Sequence, residues 1–177
     1  MRPVGQPSGE LLASLAGSAA VPVWLPWPLP RGWLLTGIAA AGDERTGARA
    51  VAVACSGPAP TGGPGELLLI AEEPGVGLGA RYGGLRGPDP GAVPDDRPAD
   101  ARLHAAGHPT AVWALDSLTD PGDRAVYVGE ALGCWMWVVL WPESTGFLLI
   151  DDLRLTDLRG VGHVLDVPCG ALSPRLG

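Results

Sequence analysis

The connections between the strand-like segments of this chain are short, and this constrains the fold more than any other feature. Residues 32–41, 48–56 and 66–73 are largely apolar, and a six-residue turn and a Pro/Gly-rich loop separate them. A parallel pair of strands needs a crossover of a dozen or more residues, whereas antiparallel strands can be joined by a hairpin. We therefore expect antiparallel pairing and exclude a parallel, doubly wound sheet.

The second half of the chain continues the pattern. Strands are predicted by the apolar and alternating segments 101–105, 110–115, 124–129, 134–141 and, after a turn at 142–146, 147–150. Short helices are predicted at residues 9–18 and 151–159. The fold class that follows is α+β, with a curved antiparallel sheet of about seven or eight strands and one or two short helices.

Glycine and proline set the irregular parts of the chain, with 27 Gly and 19 Pro in 177 residues. Four prolines within residues 21–30 exclude a helix and a central strand there, and Trp27–Pro28 is a candidate cis bond. Residues 74–98 are rich in both residue types and predict a long surface excursion. We expect a single domain over residues 1–177.

The charge of the chain excludes several classes of partner. The net charge is −7, and all 12 basic residues are scattered arginines, so binding to nucleic acid or to an anionic membrane surface is not expected. Without lysine there is neither a Schiff base nor a Walker-type phosphate loop. The longest apolar run has eight residues, far from the ~20 that span a bilayer. We expect a cytoplasmic protein.

No metal or cofactor site is predicted. Cys55, Cys134 and Cys169 lack the spacing of a disulfide framework or a zinc site, so we expect reduced thiols. His104 and His108 have a helical zinc spacing, but Gly107 and Pro109 exclude the helix. The carboxylates of residues 151 and 152 lie on adjacent positions, which in a strand point to opposite faces.

A phosphate cradle is the strongest candidate for polar chemistry. Gly75, Gly77 and Gly79 follow a predicted strand and precede Arg81, which could bind an anion. A dinucleotide loop must open a helix, and the Gly/Pro-rich residues 83–90 do not supply one. Cys169 is a possible nucleophile, but no nearby base is evident from the sequence.

Two resemblances add to this interpretation. Residues 21–81 and the ending PCGALSPRL at 168–176 resemble an uncharacterised actinobacterial family of unknown function. Its members usually begin with a zinc-ribbon-like Cys-x-x-Cys segment, which has no counterpart before Cys55, and some are labelled phosphotransacetylases. Residues 29–37 (LPRGWLLTG) and 137–147 (WVVLWPESTGF) are similar to lipoprotein-carrier-like half-barrel sensor domains, which implies a curled antiparallel sheet that binds apolar or peptide ligands.

The tryptophans are the main candidates for a binding site. The chain has seven Trp residues but only one Phe and two Tyr. Core packing explains many such rings, and an aromatic-lined groove is the functional alternative. The candidate ligand-binding residues are Trp24, Trp27, Trp135, Trp137, Trp141 and Arg81. The predicted function is a non-catalytic binding or regulatory module for a small apolar ligand or a protein partner. The alternative is an acyl or phosphoacyl transferase, similar to a phosphotransacetylase, that uses Arg81 and Cys169 or an aspartate.

Overall fold

The computed structural model describes residues 2–3, 6–43, 45–91, 97–115 and 123–176. These residues form ten strands, two α-helices and three 3-10 helices. The strands are β1 (Arg2–Pro3), β2 (Trp24–Pro26), β3 (Leu34–Asp43), β4 (Gly47–Pro58), β5 (Pro64–Glu72), β6 (Ala101–Ala105), β7 (His108–Ala114), β8 (Ala125–Ala131), β9 (Cys134–Trp141) and β10 (Arg154–Asp157). The α-helices are α1 (Gly9–Ser18) and α2 (Leu78–Gly83), and the 3-10 helices are Glu143–Asp151, Leu158–Gly160 and Pro174–Leu176.

All ten strands belong to one mixed sheet, in the order β1-β3-β4-β5-β9-β8-β7-β6-β10-β2. The pairs are antiparallel, except that β10 runs parallel to β6. The prediction of a curved sheet with few short helices is confirmed, but the predicted number of seven or eight strands and the purely antiparallel pairing are wrong. The parallel pair follows from the segment 142–153, which is long enough to cross from β9 past β8 and β7 to the far side of β6.

The sheet curls into a half-barrel, because β2 at one end of the strand order packs against β4 and β5. Alternate residues of each strand point to opposite faces, and both faces are buried. The inner face packs against α1, and its cluster includes Leu12, Val53, Leu69, Met136 and Val138. The outer face packs against α2 and the last 3-10 helix, and its cluster includes Ala52, Ile70, Leu78, Trp137 and Leu176.

Residues 147–150 do not form the predicted return strand. They lie in the 3-10 helix Glu143–Asp151, where the Thr145 amide donates to the Pro142 carbonyl at 2.8 Å and its hydroxyl donates to the Trp141 carbonyl at 3.0 Å. Leu148 and Leu149 enter the inner core, while Phe147 is 53% and Ile150 74% exposed. The apolar run that resembled a strand thus divides between the core and the surface.

The predicted surface excursion at 74–98 contains a packed helix. Leu78 and Ala80 of α2 are buried against β5 and β9. Gly77 and Gly84 flank the helix with positive φ angles of 81° and 73°, the left-handed region that glycine adopts without strain. Residues 92–96 of the excursion lie outside the described residues. Trp27–Pro28 is cis, as its local chemistry allowed, and so is Trp141–Pro142.

Gly79 allows α2 to approach the sheet closely. A Cβ atom at this position would lie on the Trp137 indole, well inside van der Waals contact. We expect Gly79→Ala to destabilise the domain by about 1–3 kcal/mol, because helix and ring must separate. Gly17 of α1 has open space around its Cβ position. Gly17→Ala is therefore the matched control, and it should stabilise by up to ~1 kcal/mol. Urea unfolding of both variants measures the difference, and equal effects would contradict the close packing.

Candidate functional site

The pairing between β7 and β8 ends early and leaves a gap in the sheet. Only Val112, Trp113 and Ala114 of β7 pair with β8, at residues 127–129. Residues 108–111 pair with β6 on their other side, and the upper part of β8 pairs with β9. The two hairpins β6–β7 and β8–β9 therefore separate towards their turns.

Pro109 lies beyond the point where the ladder stops. It pairs with His104 of β6, whose own amide donates to Leu153 on the side away from β7, so the nitrogen of Pro109 faces the side of β8. In the register of Val112 to Gly129, Pro109 lies opposite Leu132, just after the end of β8. Proline has no amide hydrogen to donate, so pairing cannot resume at that position.

The gap is a slot with a volume of about 640 Å³ between the two hairpins. Two indoles, Trp113 and Trp135, stand at its sides, and much of its floor consists of Ala111, Gly129 and Ala131. Its remaining lining residues are Gly91, Ala105, His108, Pro109, Thr110, Glu130 and Leu132. Small residues below and aromatic rings at the sides give a concave, mainly apolar surface.

The Trp113 ring is held in place from behind. Its Nε1 donates to the Arg97 carbonyl at 3.1 Å, and the Arg97 guanidinium pairs with Asp100 at 2.9 Å. Asp100 also accepts the amide of Ala114, the next residue of β7, at 2.9 Å. These contacts fix one side of the slot before any ligand arrives, which lowers the entropy lost on binding.

Of the five tryptophans predicted to line one groove, the structure brings only Trp135 to the slot. Trp24 is buried in the inner cluster and Trp137 in the outer one, so the sheet itself separates them. Trp27 packs at the margin of the inner cluster. Trp141 is buried on the outer face, with the guanidinium carbons of Arg124 and Arg175 at 5.5 and 5.0 Å from its ring centroid.

The sequence-based prediction missed Trp113. It lies on β7 opposite Val128 of β8, on the same face as Trp135. The sequence signal for Trp113 was its place on the outward-facing side of a predicted strand with alternating polar and apolar residues, close to Pro109. That signal identifies a surface ring but not its neighbour, because pairing across the sheet depends on long-range register.

The anion cradle is occupied by a carboxylate of the chain itself. Glu72, at the end of β5, is fully buried and accepts the amides of Leu78 and Gly79 at 2.6 and 3.2 Å. Burial raises the pKa of Glu72, and the amides of Gly79 and Leu78 oppose this shift. Arg81 lies on the exposed side of α2, away from this contact. The glycines therefore serve an internal cap at the helix N-terminus.

Comparison with protein-family models assigns the chain to a family. Residues 1–176 match the model of DUF6758, a family of unknown function. The chain belongs to this family. No curated protein and no solved structure matches it. The expected membership in an uncharacterised family is confirmed, and the half-barrel curl agrees with the fold implied by the second resemblance.

A second cavity of about 370 Å³ in the DUF6758 domain lies between β8 and the 3-10 helix Glu143–Asp151. Two of its charged residues already have partners. Asp100 pairs with Arg97 at 2.9 Å, and the Arg124 guanidinium donates to the Tyr82 carbonyl at 2.8 Å and to Asp123 at 3.0 Å. Burial, followed by Asp100 and Glu143, raises the pKa of Tyr127. The phenol therefore stays protonated at neutral pH and is a poor base.

His104 and Asp152, two of the histidine and aspartate candidates of the DUF6758 domain, pair with each other. His104 Nδ1 lies 2.5 Å from Asp152 Oδ1, and Arg154 donates to the other oxygen of Asp152 at 2.8 Å. Asp157 accepts the Val23 amide at 3.1 Å. Within the described part of the chain, no group of three or more His, Cys, Asp or Glu residues could hold a metal ion. No helix there is long and apolar enough to cross a membrane.

The cysteines are three free thiols in the described structure. Burial raises the pKa of Cys55 to about 12, and burial also raises the pKa of Cys169. The Cys169 thiol donates to the Val167 carbonyl at 3.2 Å, beside the outer edge of β3. Raised pKa values keep these groups as thiols, which are weak nucleophiles.

Proposed function

We propose that the DUF6758 domain is a non-catalytic binding module whose small, mainly apolar ligand occupies the slot between the hairpins β6–β7 and β8–β9. One observation carries the proposal, namely the 640 Å³ slot with an indole on each side. Ligand sites in proteins are concave, largely apolar and about 300–1,000 Å³ in volume. The slot satisfies each of these conditions.

The alternative, an acyl or phosphoacyl transferase, has weaker support. It needs Arg81 and Cys169 close to one substrate. Arg81 belongs to α2, which packs over β5 and β9, whereas Cys169 lies beside β3, so β4 and β3 stand between them. Neighbouring strands are ~4.8 Å apart, which puts the two groups on the order of 15 Å from one another. The pKa of Cys169 is also shifted in the direction that opposes nucleophilic attack.

A neutral apolar dye tests the binding role. N-phenyl-1-naphthylamine fluoresces in apolar surroundings, and it should bind the wild-type domain and quench Trp emission. We expect Trp135→Ala to weaken dye binding about tenfold or more, because an aromatic wall of a pocket supplies about 1.5–3 kcal/mol of buried apolar contact. Leu132→Ser serves as a second variant. Its side chain lines the slot but is 55% exposed, so the change should weaken binding with little effect on folding.

The control lies in the second cavity. Ile150 lines it and is 74% exposed, so Ile150→Ala should leave dye affinity unchanged. If Ile150→Ala weakened binding while Leu132→Ser did not, the site would lie in the second cavity and the proposal would be wrong. Absence of dye binding to the folded wild-type domain would also count against it.

A further inference from the structure

We infer that the ligand of the slot is an organic cation with an aromatic or aliphatic body. This inference rests on the proposed function, and it concerns the charge of the ligand that the slot selects. The two indoles and one carboxylate of the slot carry it: Trp113, Trp135 and Glu130.

Glu130 is an exposed residue of the slot lining and lies on the outer face of the sheet, like Trp135. In the sheet register it lies opposite Trp135 of β9, and it is the last residue but one of β8. Trp113 flanks the same strand from β7, opposite Val128. Glu130 therefore belongs to the strand that lies between the two strands carrying the indoles, on the same face of the sheet.

No arginine or lysine is among the described residues that line the slot. Two arginines, Arg97 and Arg102, belong to its surroundings. Arg97, behind Trp113, is paired with Asp100. Arg102 of β6 is exposed and lies beyond Ala111 in the register, one strand away from the slot floor. His108 is the one other titratable group of the lining.

The net charge of the chain gives a second observation. Its 19 acidic side chains outnumber its 12 basic ones, which gives a net charge of −7. A cation gains from a negative field, whereas an anion is repelled.

The two indole rings at the sides of the slot also favour a cationic ligand. The face of an indole ring carries negative potential and attracts a cation within about 6 Å of its centroid. A cationic head with an apolar body uses both features of the slot, since the rings also bury apolar surface. A neutral ligand would leave Glu130 without a partner, and an anion would meet it directly.

A pair of ligands of equal shape tests the inference. Benzyltrimethylammonium has a positively charged nitrogen where neopentylbenzene has a carbon, and the two are otherwise identical. The affinity of each, measured by displacement of N-phenyl-1-naphthylamine, therefore compares a cation with its neutral isostere. We expect the cation to bind the wild-type domain about tenfold more tightly. Glu130→Gln should reduce this preference to about threefold or less and leave the affinity of the neutral isostere unchanged. Arg102→Gln should strengthen cation binding by about twofold, since it removes an opposing charge.

Each outcome decides between the two proposals. If the dye binds the slot and the two isosteres bind equally well, the slot is a binding site and the cation inference is wrong. The same holds if benzylsulfonate, an anion of similar size, binds more tightly than the cation. A preference for the cation that Glu130→Gln leaves intact would also overturn the role of Glu130. If the dye and all three ligands fail to bind, the proposed function itself is wrong, and the inference with it.

Discussion

Replacing Trp137 by alanine should destabilise the domain by about 3–5 kcal/mol, the range found when a large buried aromatic ring is removed. The Trp137 ring is fully buried on the outer face of β9. Helix α2 packs directly on it, and Gly79 leaves no space between helix and ring. Loss of the indole therefore leaves a cavity beneath α2 that neither the helix nor the neighbouring Val126 and Val139 can fill without moving.

Trp135 is the matched comparison, because it lies two residues away on the same face of the same strand. It is only half-buried and lines the slot. Trp135→Ala should cost less than half as much stability as Trp137→Ala. Only Trp135→Ala should weaken dye binding by about tenfold or more under conditions where both variants are folded. Urea unfolding followed by circular dichroism gives the stabilities. Equal destabilisation by the two changes would mean that the outer face does not have the burial seen here.

Side-chain directions alternate along β9, as they do in any strand. Trp135, Trp137 and Trp141 do share one face, and Met136, Val138 and Leu140 the other. Alternation did not show which face lies inside the curl, because both faces of this strand are apolar and each is covered by a helix. The groove prediction placed Trp24 with the β9 tryptophans, and the fold puts it on the opposite side of the sheet.

The slot could be predicted only in part. Pro109 is visible in the sequence, and a proline in a strand indicates an edge or an interruption of pairing. Where the pairing of β7 with β8 ends depends on the register of Val112 to Gly129, which is fixed by packing across the whole sheet. The separation of the hairpins is therefore a tertiary property, and composition and local pattern do not contain it.

The glycine-rich segment shows a different limit. Its spacing indicated a phosphate cradle, in which backbone amides face an anion as they do at a helix N-terminus. The anion is Glu72, five residues before Gly77, rather than a ligand. No helix was predicted in this segment, because six residues between two glycines give only a weak helical pattern. Helix α2 is stabilised instead by the burial of Leu78 and Ala80.

Glu72→Ala should destabilise the domain by about 1–3 kcal/mol for each of the two buried amides that lose their acceptor. Glu72→Gln keeps an acceptor oxygen and a similar shape, so it separates the role of the charge from that of the hydrogen bonds. Burial raises the pKa of Glu72 in the folded state above that of the unfolded chain. A carboxyl group of this kind binds its proton more tightly when folded.

The sign of the pH effect follows from this shift. Below about pH 4.3, the ordinary pKa of glutamate, the side chain is protonated in both states and its full contribution to stability is present. As pH rises from there through the raised pKa of the folded state, that contribution is lost. The free energy of unfolding of the wild type should therefore fall relative to that of Glu72→Gln across this window.

Glu66→Gln on the same strand measures the general effect of removing one negative charge, because Glu66 is paired with Arg175 at the surface. Urea unfolding between pH 4 and 8 compares the three proteins. A wild-type stability that rises with pH relative to Glu72→Gln would show that the two amides of α2 stabilise the carboxylate more than burial disfavours it. In that case the N-terminus of α2 would be an anion site that prefers charge, and Glu72 a true ligand of it.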